Sequence, residues 1–207
     1  MKNIHISFGG IKLLLLTIYR SYFSLPFVKS SDKFCADYKN NKFSETKTLD
    51  LCCGITPKNP FGAALLYGVD VDYGVDEAIK IFPCDLGVEK LPFPDNFFDY
   101  VTAFDLLEHI PRLIYVDSRR IYSFIYLMSE INRVLKPGGL FFSDTPAYPR
   151  ISSFTDPTHV NIITPSTFKS YFCSPYNWAG RYGFEGSFKY IKQSWCAENL
   201  LTLMSKE

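Results

Sequence analysis

The rhythm of apolar and polar positions changes near residue 46. Downstream, short apolar runs end in small or acidic residues. Thr48-Leu49-Asp50-Leu51-Cys52 leads into Cys53-Gly54-Ile55-Thr56-Pro57, a second run covers Leu65 to Asp70, and a third ends at Cys84-Asp85-Leu86. Phe98 to Phe104 follows the turn-rich Pro92-Phe93-Pro94-Asp95-Asn96, and Leu140 to Ser143 follows Pro137-Gly138-Gly139. Each reads as a strand bounded by turn residues. Ser118 to Leu135 carries Ile121, Phe124, Ile125, Met128, Ile131, Val134 and Leu135 at helical spacing, and Lys136-Pro137-Gly138-Gly139 ends that helix. Thr164-Pro165 reads as the N-cap and first residue of a helix to about Phe172. Phe184 to Trp195 and Asn199 to Ser205 read as closely joined antiparallel strands. Strands alternating with helices predict a parallel α/β sheet with that hairpin at its end.

The first 30 residues have a different texture. Ile11 to Ile18 is apolar apart from Lys12 and Thr17, and aromatic residues follow through Phe27. Arg20 interrupts the stretch, no small-residue cleavage site follows, and the run falls short of the roughly 20 apolar residues of a bilayer span. It reads as a packed or surface-lying helix, suited to capping a substrate pocket or to peripheral membrane contact. Two parts are therefore expected: an apolar, aromatic helical extension over 1–30 and one domain over 31–207.

Composition narrows the classes. Lys plus Arg is 22 against 21 for Asp plus Glu, a formal charge of +1, which gives no footprint for phosphate-backbone binding. No nucleic-acid partner is expected. The six cysteines form no CxxC pair and only three histidines are present, so no zinc spacing can be drawn. Reduced thiols in a cytoplasm are expected, with Cys52, Cys53 and Cys84 at strand ends facing a ligand. Aromatic residues make up 17%, and their use is expected in the first 30 residues and after residue 144.

In an open α/β sheet, ligands bind outside the carboxyl ends of the strands, where strand order reverses. Asp50 through Gly54 sits at such an end, and its small residues let a ligand approach backbone N–H groups. Asp70 ends the next strand, 20 residues after Asp50, where an acid can accept both hydroxyls of a ribose. Asp85 can accept from an exocyclic adenine amine while Leu86 packs on the ring. These positions describe a nucleoside site without a diphosphate cradle. A nicotinamide dehydrogenase fits poorly, because Asp50-Leu51-Cys52-Cys53-Gly54 is not G-x-G-x-x-G.

Leu49 through Gly54 resembles the first motif of class I S-adenosylmethionine (SAM) dependent methyltransferases of the small-molecule, UbiE-like kind, and Gly68-Val69-Asp70 resembles their second. Cys84-Asp85-Leu86, Leu91-Pro92-Phe93-Pro94-Asp95, Phe98-Asp99-Tyr100-Val101, Phe104 through Ile110 and Glu130 through Gly139 continue the similarity over roughly residues 46–144. The resemblance implies a Rossmann-like, seven-stranded, mostly parallel sheet with a C-terminal antiparallel hairpin and helices on both faces. It also implies SAM as cofactor. Asp50, Cys52 and Gly54 would lie against the methionine part, Asp70 at the ribose, and Asp85 with Leu86 at the adenine. Phe104 and Asp105 would border the sulfonium and the incoming acceptor. The family usually has glycine where Cys52 and Thr56 stand. The crossover from Thr56 to Leu65 contains Pro57 and Pro60 and leaves little room for the usual helix, so an irregular loop is expected there.

Methyl transfer needs a nucleophile held near the methyl group, with a base if it carries a proton. Phe104-Asp105-Leu106-Leu107-Glu108 stands where amino-methylating enzymes of nucleic acids carry an Asn/Asp-Pro-Pro-aromatic tetrapeptide. A small-molecule, sugar or glycan-precursor oxygen is expected as acceptor, with a SAM-binding but catalytically silent partner protein as the second reading. His109 and His159 are the candidate bases. Asp105, Glu108 and His109 copy an acid-x-x-Glu-His segment linked to a divalent metal in some quinone-pathway O-methyltransferases. The segment is read here as a helix start capped by Asp105, and no metal is assigned. Asp156-Pro157-Thr158-His159 resembles Asp-x-x-His segments of methyltransferases associated with surface glycans, in which Asp156 would orient His159.

Overall fold

The computed structural model describes residues 24–39, 45–72 and 80–207, together with Lys12, Leu13, Leu15, Leu16 and Tyr19. Those five N-terminal positions are helical and exposed. Residues 24–30 of the expected helical extension are not helical: Phe27 bridges to Trp195 at the edge of the fold, with Val28 N–H donating to Trp195 O and Trp195 N–H to Pro26 O, while the other residues of the extension lie outside the described residues. No helix among the described residues is long and apolar enough to cross a membrane.

Nine strands follow in chain order: β1 Lys47–Leu51, β2 Leu65–Asp70, β3 Ile81–Pro83, β4 Phe98–Phe104, β5 Ile114–Val116, β6 Arg119–Ile121, β7 Leu135–Pro146, β8 Phe188–Cys196 and β9 Asn199–Lys206. Seven of them form one sheet in the order β3-β2-β1-β4-β7-β9-β8. β1 to β4 and β7 pair in parallel, while β9 runs antiparallel between β7 and β8. The expected sheet and C-terminal hairpin are both present. Strand order reverses between β1 and β4, and their carboxyl ends stand side by side there.

Period-two alternation assigns the two faces. On β9, Leu200 and Met204 join Phe141 and Val101 on one face, whereas Leu201 and Leu203 join Phe142 on the other. The first face buries the helix Ser123–Val134 through Phe124, Leu127, Met128, Ile131 and Val134. The second is covered more thinly, by the helix Ser31–Cys35 through Phe34 and by Phe61 from the loop between β1 and β2. No helix forms over residues 56–64, as the two prolines predict. Helices thus lie on both faces, unequally. Pro165–Tyr171 is helical, with the Thr164 N–H donating to Thr167 Oγ1 at 3.0 Å.

Two expectations are corrected. Helical spacing from Ser118 extended too far back: β5 and β6 form a hairpin, and Asp117 and Ser118 at its turn have φ of 47° and 64°. Two successive left-handed residues suit a tight hairpin turn and stop a helix from starting there. Aromatic residues are also dense outside the two expected regions. Tyr67, Phe82, Phe93, Phe97 and Phe98 pack edge to face on β2, β3, β4 and the preceding loop.

Candidate active site

The carboxyl end of β1 delivers Asp50 beside Thr102 of β4, its register partner. Asp50 is buried; its Oδ1 accepts from the Thr102 hydroxyl and its Oδ2 from the Lys58 amide, each at 2.7 Å. Burial pushes its pKa up to about 6 against the opposing pull of those two bonds. The chain then turns through Cys52 and Gly54, with φ of 56° and 54°. The Gly54 N–H donates to Asp70 Oδ2 at 2.8 Å, joining the ends of β1 and β2. This approach depends on Gly68, where a Cβ would stand 2.4 Å from Cys53 Sγ. Asp70 Oδ1 accepts from the Asp72 N–H at 3.2 Å, so each carboxylate oxygen keeps accepting capacity.

Asp85 is exposed; its N–H donates to Glu89 Oε2 at 2.8 Å, and half-buried Leu86 bridges to Glu89. Phe104 ends β4 with its ring 5.4 Å from that of Phe142, and the Lys58 ammonium lies 4.2 Å from its centroid. The Phe104 face thus already receives a cation. Cys52 is exposed and Cys53 packs on Gly68, but Cys84 is buried in the core and does not face the site. Burial pushes the thiols of Cys52, Cys53 and Cys84 up to about 11, 12 and 11. All six cysteines are free thiols, as expected.

The expected helix start at Asp105 is absent. Asp105 has φ 47°, and residues 106–110 form successive turns, with His109 N–H donating to Leu106 O and Ile110 N–H to Leu107 O. The i, i+3, i+4 face does not exist, and Asp105 parts company with Glu108 and His109. Its Oδ1 accepts from Asn199 Nδ2, which also donates to Asp144 Oδ1, both at 2.8 Å.

Glu108 turns inward instead. It is 1% exposed; Oε2 accepts from the Thr145 hydroxyl at 2.5 Å and Oε1 has no hydrogen-bond partner. Burial pushes its pKa up. The Glu108 carbonyl accepts from the N–H groups of Val160 and Asn161, both at 2.9 Å, and Asn161 Nδ2 donates to Leu107 O at 3.0 Å. These bonds bring the Asp156–His159 segment onto the β4 loop, so that the His109 and His159 rings meet edge to face at 4.8 Å. The Thr158 hydroxyl donates to Asp156 Oδ1 at 2.6 Å. Having one proton, it accepts from His109 Nδ1 at 3.0 Å, which puts the neutral ring's lone pair on Nε2. The same Thr158 bond holds the Asp156 carboxyl below its ordinary range. His159 Nε2 stands 4.0 Å from Asp156 Oδ2, while its Nδ1 is buried without a partner. Asp156 and His159 open onto a cavity of about 590 Å³ lined also by Ile151, Ser152, Thr155 and Glu198.

Thr102, Thr145 and Asn199 escape a sequence reading, because strand register brings Thr102 to Asp50 and the course of the loop after β4 brings Glu108 and Asp105 to Thr145 and Asn199. Lys58 lies in the loop that the prolines mark as irregular, and that was its one signal.

Residues 49–143 match the family described as "Methyltransferase domain". A demethylmenaquinone methyltransferase of Staphylococcus saprophyticus subsp. saprophyticus is 32% identical over 114 residues, 48% of this chain and 44% of that protein. The chain therefore spans less than half the length of that relative. Two solved structures share the fold at low identity. One belongs to the complex of the Haloferax volcanii Trm112 methyltransferase activator with a candidate methyltransferase; it has TM-score 0.52 and 13% identity, covering 96% of this chain and 94% of that one. The other is a candidate methyltransferase of Bacillus halodurans C-125, with TM-score 0.53 and 17% identity, covering 79% and 71%. Residues 49–143, just under half of the chain, are thus similar to the methyltransferase-domain family, and the seven-stranded sheet shares its fold with those two solved structures.

Proposed function

We propose that this chain is a SAM-dependent methyltransferase acting on an oxygen of a small molecule, sugar or glycan precursor. The observation that carries the reading is the presence of two groups on the carboxyl-end side of β1, β2 and β4. Asp50, Gly54, Asp70 and Phe104 form one, and Glu108, His109 and His159, reached through the loop after β4, form the other.

The donor set suits SAM. Asp70 retains lone pairs for ribose hydroxyls, no atom lies within 4 Å of where a Cβ on Gly54 would stand, and the Phe104 face takes positive charge. Cys52, Gly54, Asp85 and Leu86 keep the cofactor roles that the resemblance gives them. When bound, SAM supplies an electrophilic methyl group on a sulfonium. Lys58 must leave the Phe104 ring for the sulfonium to approach it. On the acceptor side, the shallow, open depression beside His159 and Asp156 can place a hydroxyl near the His159 ring, with Asp156 as the orienting group.

The test is SAM carrying a labelled methyl group, incubated with the chain and fractionated cell extract. Label passing to a small polar fraction supports the reading, and label in an amine or carbon product overturns the oxygen assignment. Absence of SAM binding up to ~1 mM, the upper end of usual Michaelis constants, overturns the enzyme. Binding without transfer to any fraction favours a SAM-binding, catalytically silent partner protein; Cys52, Thr56 and the helix-free crossover are what favour that second reading.

A further inference from the structure

Glu108, His109 and His159 each present one ligand atom, and these atoms lie within 4.8 Å of one another. Only the first two are neighbours in sequence; the third arrives through the bonds from Val160 and Asn161 to the Glu108 carbonyl. In each residue the second heteroatom is already engaged or faced. Thr145 donates to Glu108 Oε2, Thr158 Oγ1 accepts a hydrogen bond from His109 Nδ1–H, and Asp156 faces His159 Nε2. The atoms that these contacts leave over are Glu108 Oε1, His109 Nε2 and His159 Nδ1. Glu108 Oε1 and His159 Nδ1 are buried without any hydrogen-bond partner. A buried carboxylate oxygen and a buried imidazole nitrogen facing nothing cost stability unless something satisfies them.

We propose that Glu108, His109 and His159 bind one divalent first-row transition-metal ion. Two imidazoles and one carboxylate favour such an ion over Mg²⁺ or Ca²⁺, which take oxygen ligands. Ligand atoms around Zn²⁺ at bonds of about 2.1 Å stand roughly 3.4 Å apart, so the three groups, now within 4.8 Å, would draw closer on binding. Thr145, Thr158 and Asp156 supply the outer hydrogen bonds that fix orientation in metal sites. Asp105 is not a ligand, since Asn199 holds it on the other side of the turn. Three protein ligands leave a coordination position vacant, next to the cavity that reaches His159 and Asp156. The binding claim stands on geometry alone. Its use rests on the oxygen-acceptor reading, in which the ion takes the acceptor's hydroxyl oxygen as a further ligand.

The test is titration of the EDTA-dialysed full chain with Zn²⁺ and with Co²⁺, without SAM. One equivalent is expected, with a Co²⁺ visible spectrum free of thiolate charge-transfer bands. His109→Ala and His159→Ala are each expected to weaken binding at least tenfold, and Thr158→Val roughly tenfold. Thermal melts in EDTA separate loss of the site from loss of the fold. Should either histidine variant not fold, Thr158→Val, changed at an exposed position, carries the test. No stoichiometric ion, thiolate bands, or affinity unchanged in the folded variants would overturn the site. A parallel SAM titration in EDTA tests the methyltransferase reading independently.

Discussion

Thr102 on β4 donates its hydroxyl to the buried carboxylate of Asp50 on β1, across one register pair at 2.7 Å. Two hydrogen bonds do not offset the burial, and the Asp50 pKa rises from 3.8 to about 6. The folded state therefore holds this proton more tightly than the unfolded chain. Stability contributed by protonated Asp50 is fully present below about pH 4 and is lost as pH rises through 6. Across that window the loss amounts to at most about 3 kcal/mol. Asp50→Asn keeps the shape; its amide can donate to Thr102, whose hydroxyl turns to Leu49 O. Urea denaturation at pH 5 and pH 8 should show the variant gaining on the parent at pH 8 and losing that advantage at pH 5. An equal difference at both pH values would place the titration elsewhere.

Asn199 bridges Asp105 and Asp144 with one amide. Burial pushes the Asp144 carboxyl up, the Asn199 bond opposes this, and Asp105 adds repulsion. Asn199→Ala removes the hydrogen bond that opposes the burial of Asp144 and leaves two carboxylates facing each other. A loss of about 2–3 kcal/mol is expected in chemical denaturation at pH 8, shrinking as the pH is lowered and Asp144 takes a proton. A loss independent of pH would mean that the bridge acts only through packing.

The sheet was legible because its signals are local: short apolar runs, Gly and Pro at their ends, and acids at Asp50, Asp70 and Asp85. The hairpin at Asp117–Ser118 was hidden by Ile121, which suits helical spacing and also pairs with Ile114. The Asp105–Glu108–His109 segment misled for a related reason. Spacing tells which residues would share a face if a helix formed, and the left-handed Asp105 prevents one. His159 was visible as a candidate base, but its contact with His109 depends on long-range bonds to the Glu108 carbonyl, which no single-sequence period encodes.

Arg133 ties the Ser123–Val134 helix to the loop before β4. It donates to both oxygens of Glu130, to Asp95 Oδ1 and to the carbonyls of Leu91 and Phe93, while Glu130 Oε2 also accepts from the Leu91 N–H. Glu130 and Arg133 are mostly out of water, at 9% and 17% side-chain exposure. Arg133→Met strands the Glu130 charge and should cost about 3–5 kcal/mol. The double variant Glu130→Met with Arg133→Met should recover part of that loss, because no charge is left unpaired. Urea midpoints of the three proteins decide this, and a double variant no better than the single would deny that the stranded charge is the cause.

His159 lines the proposed acceptor depression, whereas the residues assigned to SAM lie at or just past the carboxyl ends of β1, β2, β3 and β4. His159→Ala should therefore separate two measurements. Turnover is expected to fall on the order of 100-fold, because the variant removes either a positioned base or, with the ion bound, one of its ligands. SAM affinity, measured by calorimetry on the same preparation, should stay within about twofold. Asp156→Asn should show a smaller fall in turnover, since Asp156 touches the histidines only through Thr158 and a 4.0 Å approach. Weakened SAM binding in His159→Ala would mean that the histidine supports the cofactor side, and unchanged turnover would remove it from the mechanism.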